Sequence, residues 1–485
     1  MKQLTIPLLC LSLAACAVGP DYHAPAVPAP AAYGDWHGGS PALRETGLAA
    51  GAEQAFARFD DPVLAGLQKQ ALAASHDVQT AALRFAQSRM ARNAAAGAQG
   101  PQLTAHAGAS RQRQSESGAG TRMVDAIAPA NRAVLIEKLS DPFALYQAGF
   151  DASWELDLWG RVRRSVQAAD AGMAEASSVL RAVRIAVQLE VARNYYELRA
   201  AHRQQALLQE DLSAARDMAA LVAARQHGGL ASGLDVEQQQ AALAELVGRA
   251  PALLEQEAAA ANRLTMLLAL PPGALRGQLA ARLGAAAPRG PDLALGVPGE
   301  VMRHRPDIQA AEARLQGATA RIGVALADLY PRITLGLSFG VEALEAGKFG
   351  DWGSRQWSLG PSLQLPLFDN GRRRATVELR KLEEQEAAVN FQKTVLNAWH
   401  EMDDALSAYA AARQRQQALT TKAASARAAL ELAATRARRG MSDQLPVLQA
   451  RRALLAIERE RAAGDSELAL RLLAVCKASG LAPQA

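Results

Sequence analysis

The chain has 485 residues, of which 49% are hydrophobic but only 5% aromatic, and alanine is the largest part of the apolar share. Alanine is the strongest helix former yet fills little volume, so the composition disfavours a thick globule and favours long, closely packed helices. The net charge of +5 is spread evenly and no basic cluster is interleaved with aromatics, which argues against nucleic acid as a partner.

The amino terminus reads as a secretory signal over residues 1–15. Lys2 supplies a positive start, Leu4 to Leu13 an apolar stretch, and Leu13-Ala14-Ala15 the small residues before a cleavage point. A cysteine directly after Leu-Ala-Ala resembles the bacterial lipobox, which would make Cys16 the lipidated first residue; an ordinary signal peptide that contains a cysteine is the alternative. Ala17 is not the aspartate that retains lipoproteins at the inner membrane. Once Cys10 leaves with the signal, only Cys476 remains, so a disulfide within the mature chain is excluded. Residues 16–59 read as a lipidated linker, rich in Pro, Ala and Gly from Pro20 to Pro41. No later stretch reaches the roughly 20 apolar residues of a membrane helix.

The rest repeats itself. Asp77-Val78-Gln79 and Asp307-Ile308-Gln309 open helical stretches, and Ala81/Ala311, Arg84/Arg314 and Pro101/Pro331 keep the same separation of 230 positions. Further on, Gly160-Arg161 answers Gly371-Arg372, Arg225 answers Arg436, and Gly229 answers Gly440, now 211 positions apart. The first copy therefore carries an extra loop, placed at about Arg111 to Asp141. This divides the chain into a first repeat at 60–285, a connecting segment at 286–304, a second repeat at 305–478 and a tail at 479–485.

Each copy is predicted to run helix, two strands, then a long helical hairpin. After Pro331, Ile333, Leu335, Leu337, Phe339 and Val341 alternate with Thr334, Gly336, Ser338, Gly340 and Glu342. Tyr146 to Leu158 and Trp357 to Leu367 alternate likewise, and Leu103, Ala105, Ala107 and Ala109 more weakly. Strands of roughly 10 residues with one apolar and one polar face suit a membrane barrel, and equally a half-buried soluble sheet. Val162, Val166, Ala169, Met173, Ala176, Leu180, Val183 and Val187 then step 4-3-4-3, a heptad seam. Without proline from Arg161 to Gln226, this helix would reach about 100 Å. Val395, Trp399, Met402, Leu406 and Tyr409 form the matching seam. Gly229 and Gly440 are the expected helix ends, after which a second helix returns. Four strands per chain cannot close a barrel, and open edges do not survive in lipid, so closure requires several chains.

These residues resemble the TolC-like outer-membrane efflux channels, in particular their NodT-type lipoprotein branch. The resemblance rests on Cys16-Ala17-Val18-Gly19-Pro20-Asp21-Tyr22, Trp154-Glu155-Leu156-Asp157-Leu158-Trp159-Gly160-Arg161, Arg303-His304-Arg305-Pro306-Asp307-Ile308, Ile322-Gly323-Val324-Ala325 and Pro331-Arg332-Ile333, and spans nearly the whole chain. It implies a mainly α fold with a small β-barrel: four transmembrane strands per chain, closing as a homotrimer into a twelve-stranded barrel on a helical barrel. It also implies an exit duct for drugs or other small toxic compounds, set in outer-membrane lipid, that meets a periplasmic adaptor protein and through it an inner-membrane pump. No cofactor is implied beyond the covalent lipid on Cys16. An enzyme is not expected, since the eight histidines are scattered and His400-Glu401-Met402-Asp403 is not a zinc-binding HExxH. The rival reading is a periplasmic coiled-coil adaptor or structural lipoprotein.

Within the family the hairpin tips form the closed, docking end. By resemblance Arg225, Gly229, Leu234, Asp235, Arg436, Gly440 and Asp443 belong to the tip that meets the adaptor, and Leu445, Gln449 and Arg452 to the gate lining the lumen. The family usually reads Leu-Asp-Val-Leu-Asp-Ala-Gln-Arg where this chain has Leu445-Pro446-Val447-Leu448-Gln449-Ala450-Arg451-Arg452. Both acidic lumen positions are thus replaced, by Pro446 and Gln449. Asp443 or Asp235 is left to substitute for the acidic ring, Arg452 adds a positive charge, and Arg438 or Arg439 is a candidate partner for Asp235. Simple solvation of the tip arginines at helix C-termini is the plain alternative. Trp154, Trp159, Trp352 and Trp357 read as girdle or packing residues, Tyr195-Tyr196 as helix packing, and Arg305-Pro306-Asp307 as a helix start.

Overall fold

The computed structural model describes residues 17–26, 33, 40–43, 46, 48–50, 56–58, 61–118, 122–275, 292–481 and 483–484. Its elements in chain order are β1 (Ala49–Ala50), β2 (Phe56–Arg58), α1 (Pro62–Ala74), α2 (His76–Gly97), β3 (Gln102–Gln112), α3 (Arg122–Ile127), α4 (Arg132–Ser140), β4 (Phe143–Glu155), α5 (Arg161–His227) and α6 (Gly233–Leu267). There follow β5 (Asp292–Leu295), α7 (Pro298–His304), α8 (Pro306–Ala327), β6 (Arg332–Ala343), β7 (Arg355–Gln364), α9 (Arg372–Arg438), α10 (Leu445–Ser479) and β8 (Pro483–Gln484). The duplication survives in the lengths. Helices α2 and α8 have 22 residues each, α5 and α9 have 67, and α6 and α10 have 35. One difference is internal: α6 carries Pro251, which has no amide hydrogen to give to the helix.

The chain divides into two compact units. One comprises Met1–His23, Ser88–Met173 and Arg314–Ala387, and holds a four-stranded sheet in the order β3-β4-β6-β7. Every neighbour pair is antiparallel, with Leu103 opposite Ala152, Phe150 opposite Phe339 and Phe339 opposite Trp357. Because directly opposed residues share a face, the apolar residues of all four strands lie on one side, and Thr104, His106, Asp151, Ser338 and Ser358 on the other. Gly149 and Gly340 face each other so closely that a Cβ on Gly149 would lie 2.8 Å from the Phe339 carbonyl oxygen.

The strands are shifted from their expected limits. β4 starts at Phe143 and stops at Glu155, three residues short of Leu158. The cause is the helix that follows: Asp157 accepts from the amides of Val162 (2.9 Å) and Arg163 (2.8 Å), so the chain must leave the ladder to cap α5. β7 similarly ends at Gln364, ahead of Pro366, and Asp369 accepts from the Arg373 amide at the start of α9. The expected long loop from Arg111 to Asp141 is not structureless. It holds α3 and α4, and the Arg113 guanidinium donates to the Ser140 carbonyl to tie the end of α4 beside β3.

The other unit comprises Ala24–Gln87, Ala174–Ala313 and Ala388–Ala485. Its core joins Leu64, Val187, Val191, Tyr195, Leu198, Leu264, Ile308, Val395, Trp399, Met402 and Leu472, so the second expected seam is buried here, with Tyr409 packed against it, whereas the first contributes only its far end, Val183 and Val187. A small mixed sheet in the order β1-β5-β2-β8 stitches together segments far apart in sequence. Asp61 caps α1, accepting from the Val63 and Leu64 amides, and its other oxygen accepts from the Tyr195 hydroxyl at 2.8 Å. Burial and that bond to Asp61 push the Tyr195 hydroxyl up to about 12. Tyr195 and Tyr196 are thus core residues packed edge to face, as expected.

Candidate functional site: membrane face, anchor and tips

The sheet exposes one apolar face. Leu103, Phe150, Leu337, Phe339, Trp357, Leu359 and Leu363 are all exposed on one face, an arrangement that water alone would not reward. The aromatic residues lie where the chain changes character. Trp154 donates from its indole to the Gln99 carbonyl, and Trp159 to the Pro331 carbonyl while stacking on Tyr330 at 4.8 Å. Trp352 and Trp357 are 83% and 73% exposed on the side of the hairpin loops. Polar tips with apolar bodies at both ends of the strands are what a bilayer interface selects.

Cys16 lies outside the described residues, but the segment after it is well fixed. The Val18 amide donates to the Trp159 carbonyl, and Gly19, at φ +100°, lies against Gly323, where any Cβ would meet Gly323 Cα at 2.6 Å. Gly160, at φ +79°, leaves room for Ala17, whose Cβ would be only 2.8 Å from a Cβ at position 160. The buried Arg164 guanidinium binds the Gly19 carbonyl and the Asp21 carboxylate at 2.8 Å. Three stretches that look unrelated in sequence, 17–21, 159–164 and around 323, therefore form one seat beside the helix-side end of the sheet.

The tips are built alike. After α5 the Leu230 amide returns to the Arg225 carbonyl with Gly229 at φ +72°; after α9 the Met441 amide returns to the Arg436 carbonyl with Gly440 at φ +71°. A left-handed residue is required in both, and glycine takes it without strain. They then diverge. Asp235 and Ser232 form a reciprocal cap at the start of α6, and the hydrogen bonds from the Ser232 backbone and hydroxyl hold the Asp235 carboxyl below the usual range. α10 has no side-chain cap; Pro446 opens it instead, and Asp443 accepts from the Leu445 amide.

Charge pairing differs from expectation. Arg225 reaches across to Asp443, 2.7 Å away, and so joins the two tips; Asp235 is taken by Ser232, and Arg438 donates to Thr435 rather than to Asp235. Arg436 is exposed, and Leu234 with it. Leu445 is half-buried while Pro446 and Gln449 are exposed. Arg452 is not the free positive charge expected at the gate. Its Nε lies 3.5 Å from Asp211 on α5, an ion pair without hydrogen-bond geometry, and Arg459 completes the clamp by hydrogen bonding the other carboxylate oxygen.

Sequence reasoning missed that clamp. Asp211 is 2% exposed in its side chain and lies in an apolar stripe with Leu207 and Ala214 that packs on Leu455. The available signal is a carboxylate at helical spacing inside an apolar stripe. Glu458 on α10 is held likewise, between Arg427 of α9 and Arg461. Arg305 is a third such knot, binding Asp307 and Glu401 at 2.7 Å each and the Ala478 carbonyl. Burial opposes the ionised form of Asp307, but the Arg305 guanidinium outweighs it and holds this carboxyl below its ordinary value. The Arg305-Pro306-Asp307 motif thus starts a helix, as expected, and also fastens it to α9 and α10.

Known proteins share this architecture. The family model described as outer membrane efflux protein matches residues 67–270 and 297–481. Outer membrane protein OprJ of Pseudomonas aeruginosa is 31% identical over 98% of this chain and 94% of its own. Nodulation protein T of Rhizobium leguminosarum bv. trifolii is 28% identical over 93% of this chain and 91% of its own. The solved outer-membrane channel OprN matches with a TM-score of 0.79 at 29% identity, covering 96% of this chain and 99% of that one. Such coverage sets aside the adaptor reading, and the chain belongs to the outer membrane efflux protein family as an efflux channel of the outer membrane.

Proposed function

We propose that the working unit is a homotrimer whose twelve strands close a barrel in the outer membrane, and that it is the passive exit of a pump assembled with a periplasmic adaptor and an inner-membrane transporter. The observation that carries this reading is the four-stranded sheet with an apolar outer face and two bare edges, β3 and β7. Strand edges cannot be left open in hydrocarbon, and the antiparallel order makes β7 of one chain a fitting neighbour for β3 of the next. No step of catalysis is assigned; transport through such a duct is diffusion driven from elsewhere.

Lipidation of Cys16 is supported by the seat that fixes Ala17 to Asp21 beside the sheet. Docking of the adaptor at the tips is supported by exposed Leu230, Leu234 and Met441, flanked by Arg225, Arg436, Asp235, Asp443 and the glycine turns at Gly229 and Gly440. Leu445 and Gln449 are read as lining the gate, without an acidic ring, while Arg452 supports it from behind through Asp211. The deciding experiment combines two readouts. Purified chain should run as a heat-stable trimer and conduct ions in planar bilayers. A monomer that inserts without conductance would refute the closed barrel.

A further inference from the structure

The apolar face of the sheet ends in two arginines. On β3 the column Leu103, Ala105, Ala107, Ala109 is completed by Arg111, in register with Ala144. On β7 the corresponding column begins with Arg355, in register with Val341, and continues through Trp357 and Leu359. Both stand where the strands enter the hairpin loops, at the end opposite the starts of the long helices α5 and α9. A guanidinium on a lipid-facing column is costly at mid-membrane and tolerable at the rim, where it reaches headgroups.

Among the described residues neither arginine has a carboxylate in ion-pair reach. Arg113, Lys138 and Lys348 in the same loops each do, with Glu116, Asp141 and Glu345. The Arg355 guanidinium lies instead over the exposed Trp352 ring. β3 and β7 are also the two edge strands. β3 runs toward the loops and β7 away from them, so edge-to-edge closure pairs them antiparallel. Their loop ends then meet, with Arg355 and the Arg111 of the next chain on the same outer face.

We propose that each chain junction is a binding site for the phosphate of a phosphorylated glycolipid in the outer leaflet. Two guanidinium forks offer the planar, paired donors that phosphate oxygens accept, and among the described residues the loop carboxylates Glu116, Asp141 and Glu345 are paired with other cations. Trp352 presents an amphipathic ring at the depth where sugar gives way to acyl chain. The inference rests on the trimeric reading, because one chain supplies only half of each site.

The test uses full-length protein in detergent micelles, titrated with lipid A and read by native mass spectrometry for bound lipid, with sedimentation reporting the oligomer. Wild-type trimers should bind lipid A, and the Arg111→Gln/Arg355→Gln trimer at least about tenfold more weakly, as expected for losing charge-assisted bonds. Lys348→Gln should bind as wild type does. Each single glutamine variant should show an intermediate loss, which keeps the test decisive if the double variant does not assemble. Undiminished lipid A binding by intact variant trimers overturns the site. Equal binding of inorganic pyrophosphate overturns the lipid as its source. A wild-type monomer that binds lipid A as well as any trimer would overturn the junction and the trimeric reading together.

Discussion

Asp211→Ala should loosen the packing of α5 on α10 more than any surface change nearby. The aspartate side chain is 2% exposed, and its partners Arg459 and Arg452 are 15% and 24% exposed. Breaking a buried charge pair from one side commonly costs about 3–5 kcal/mol, because the remaining charge loses its partner in a dry site. Here the guanidinium groups retain some water, which places the expected cost nearer to about 2–3 kcal/mol. Hydrogen exchange suits a membrane protein better than global unfolding, since it reads local opening. Amides of residues 207–215 and 452–459 should exchange roughly 30- to 150-fold faster, at 1.36 kcal/mol per factor of ten. Replacing the cluster as a whole, Asp211→Leu with Arg452→Met and Arg459→Met, should return exchange close to wild type, because no charge is then stranded. A single variant that exchanges within threefold of wild type would refute the clamp, as would a triple variant looser than the single one.

Three further outcomes are expected. Gln449→Asp adds a carboxylate per chain at one level of the gate, so the reversal potential in a salt gradient should shift toward cations, more strongly as pH rises above about 5 because neighbouring carboxylates raise one another's pKa values; an unchanged potential from intact trimers would remove Gln449 from the lumen. Cys16→Ser should abolish incorporation of labelled palmitate while trimers still form; label retained on the variant contradicts the anchor. Asp307, held below its ordinary pKa by Arg305, contributes stability that is complete above the unfolded value of about 3.9 and lost as pH falls through the lower folded value. The melting advantage of wild type over Asp307→Asn should therefore hold at about pH 5 and shrink as pH falls below about 4, and a pH-independent gap would count against the Arg305 knot.

The long helices were readable because they rest on local rules. A proline-free stretch with 4-3 spacing and a terminal glycine predicts Arg161–Gln226, and the helix observed is Arg161–His227. The alternating strands were readable for the same reason, but their ends were not. Asp157 looks like the next polar residue of β4, and only the amides of Val162 and Arg163 reveal it as a cap. The strands β1, β2, β5 and β8 are two to four residues long and pair across hundreds of positions, so no periodicity could announce them. At the tips, sequence alone left Asp235 either to Arg438 or Arg439 of the other copy or to no arginine at all. A serine three residues before it was the nearer and geometrically better partner. Asp211 carried a signal, a carboxylate inside the apolar stripe of Leu207 and Ala214, but nothing local shows that its partner is Arg452, a residue hundreds of positions along the chain that resemblance placed at the gate.

Pro251 gives the duplicated frame an elastic asymmetry. Helix α6 lacks one rung where its counterpart α10 is unbroken, and the Val247 carbonyl four residues earlier loses its donor. A rod missing a rung bends there first. Under a load applied at both tips, the first hairpin is the spring and the second the strut.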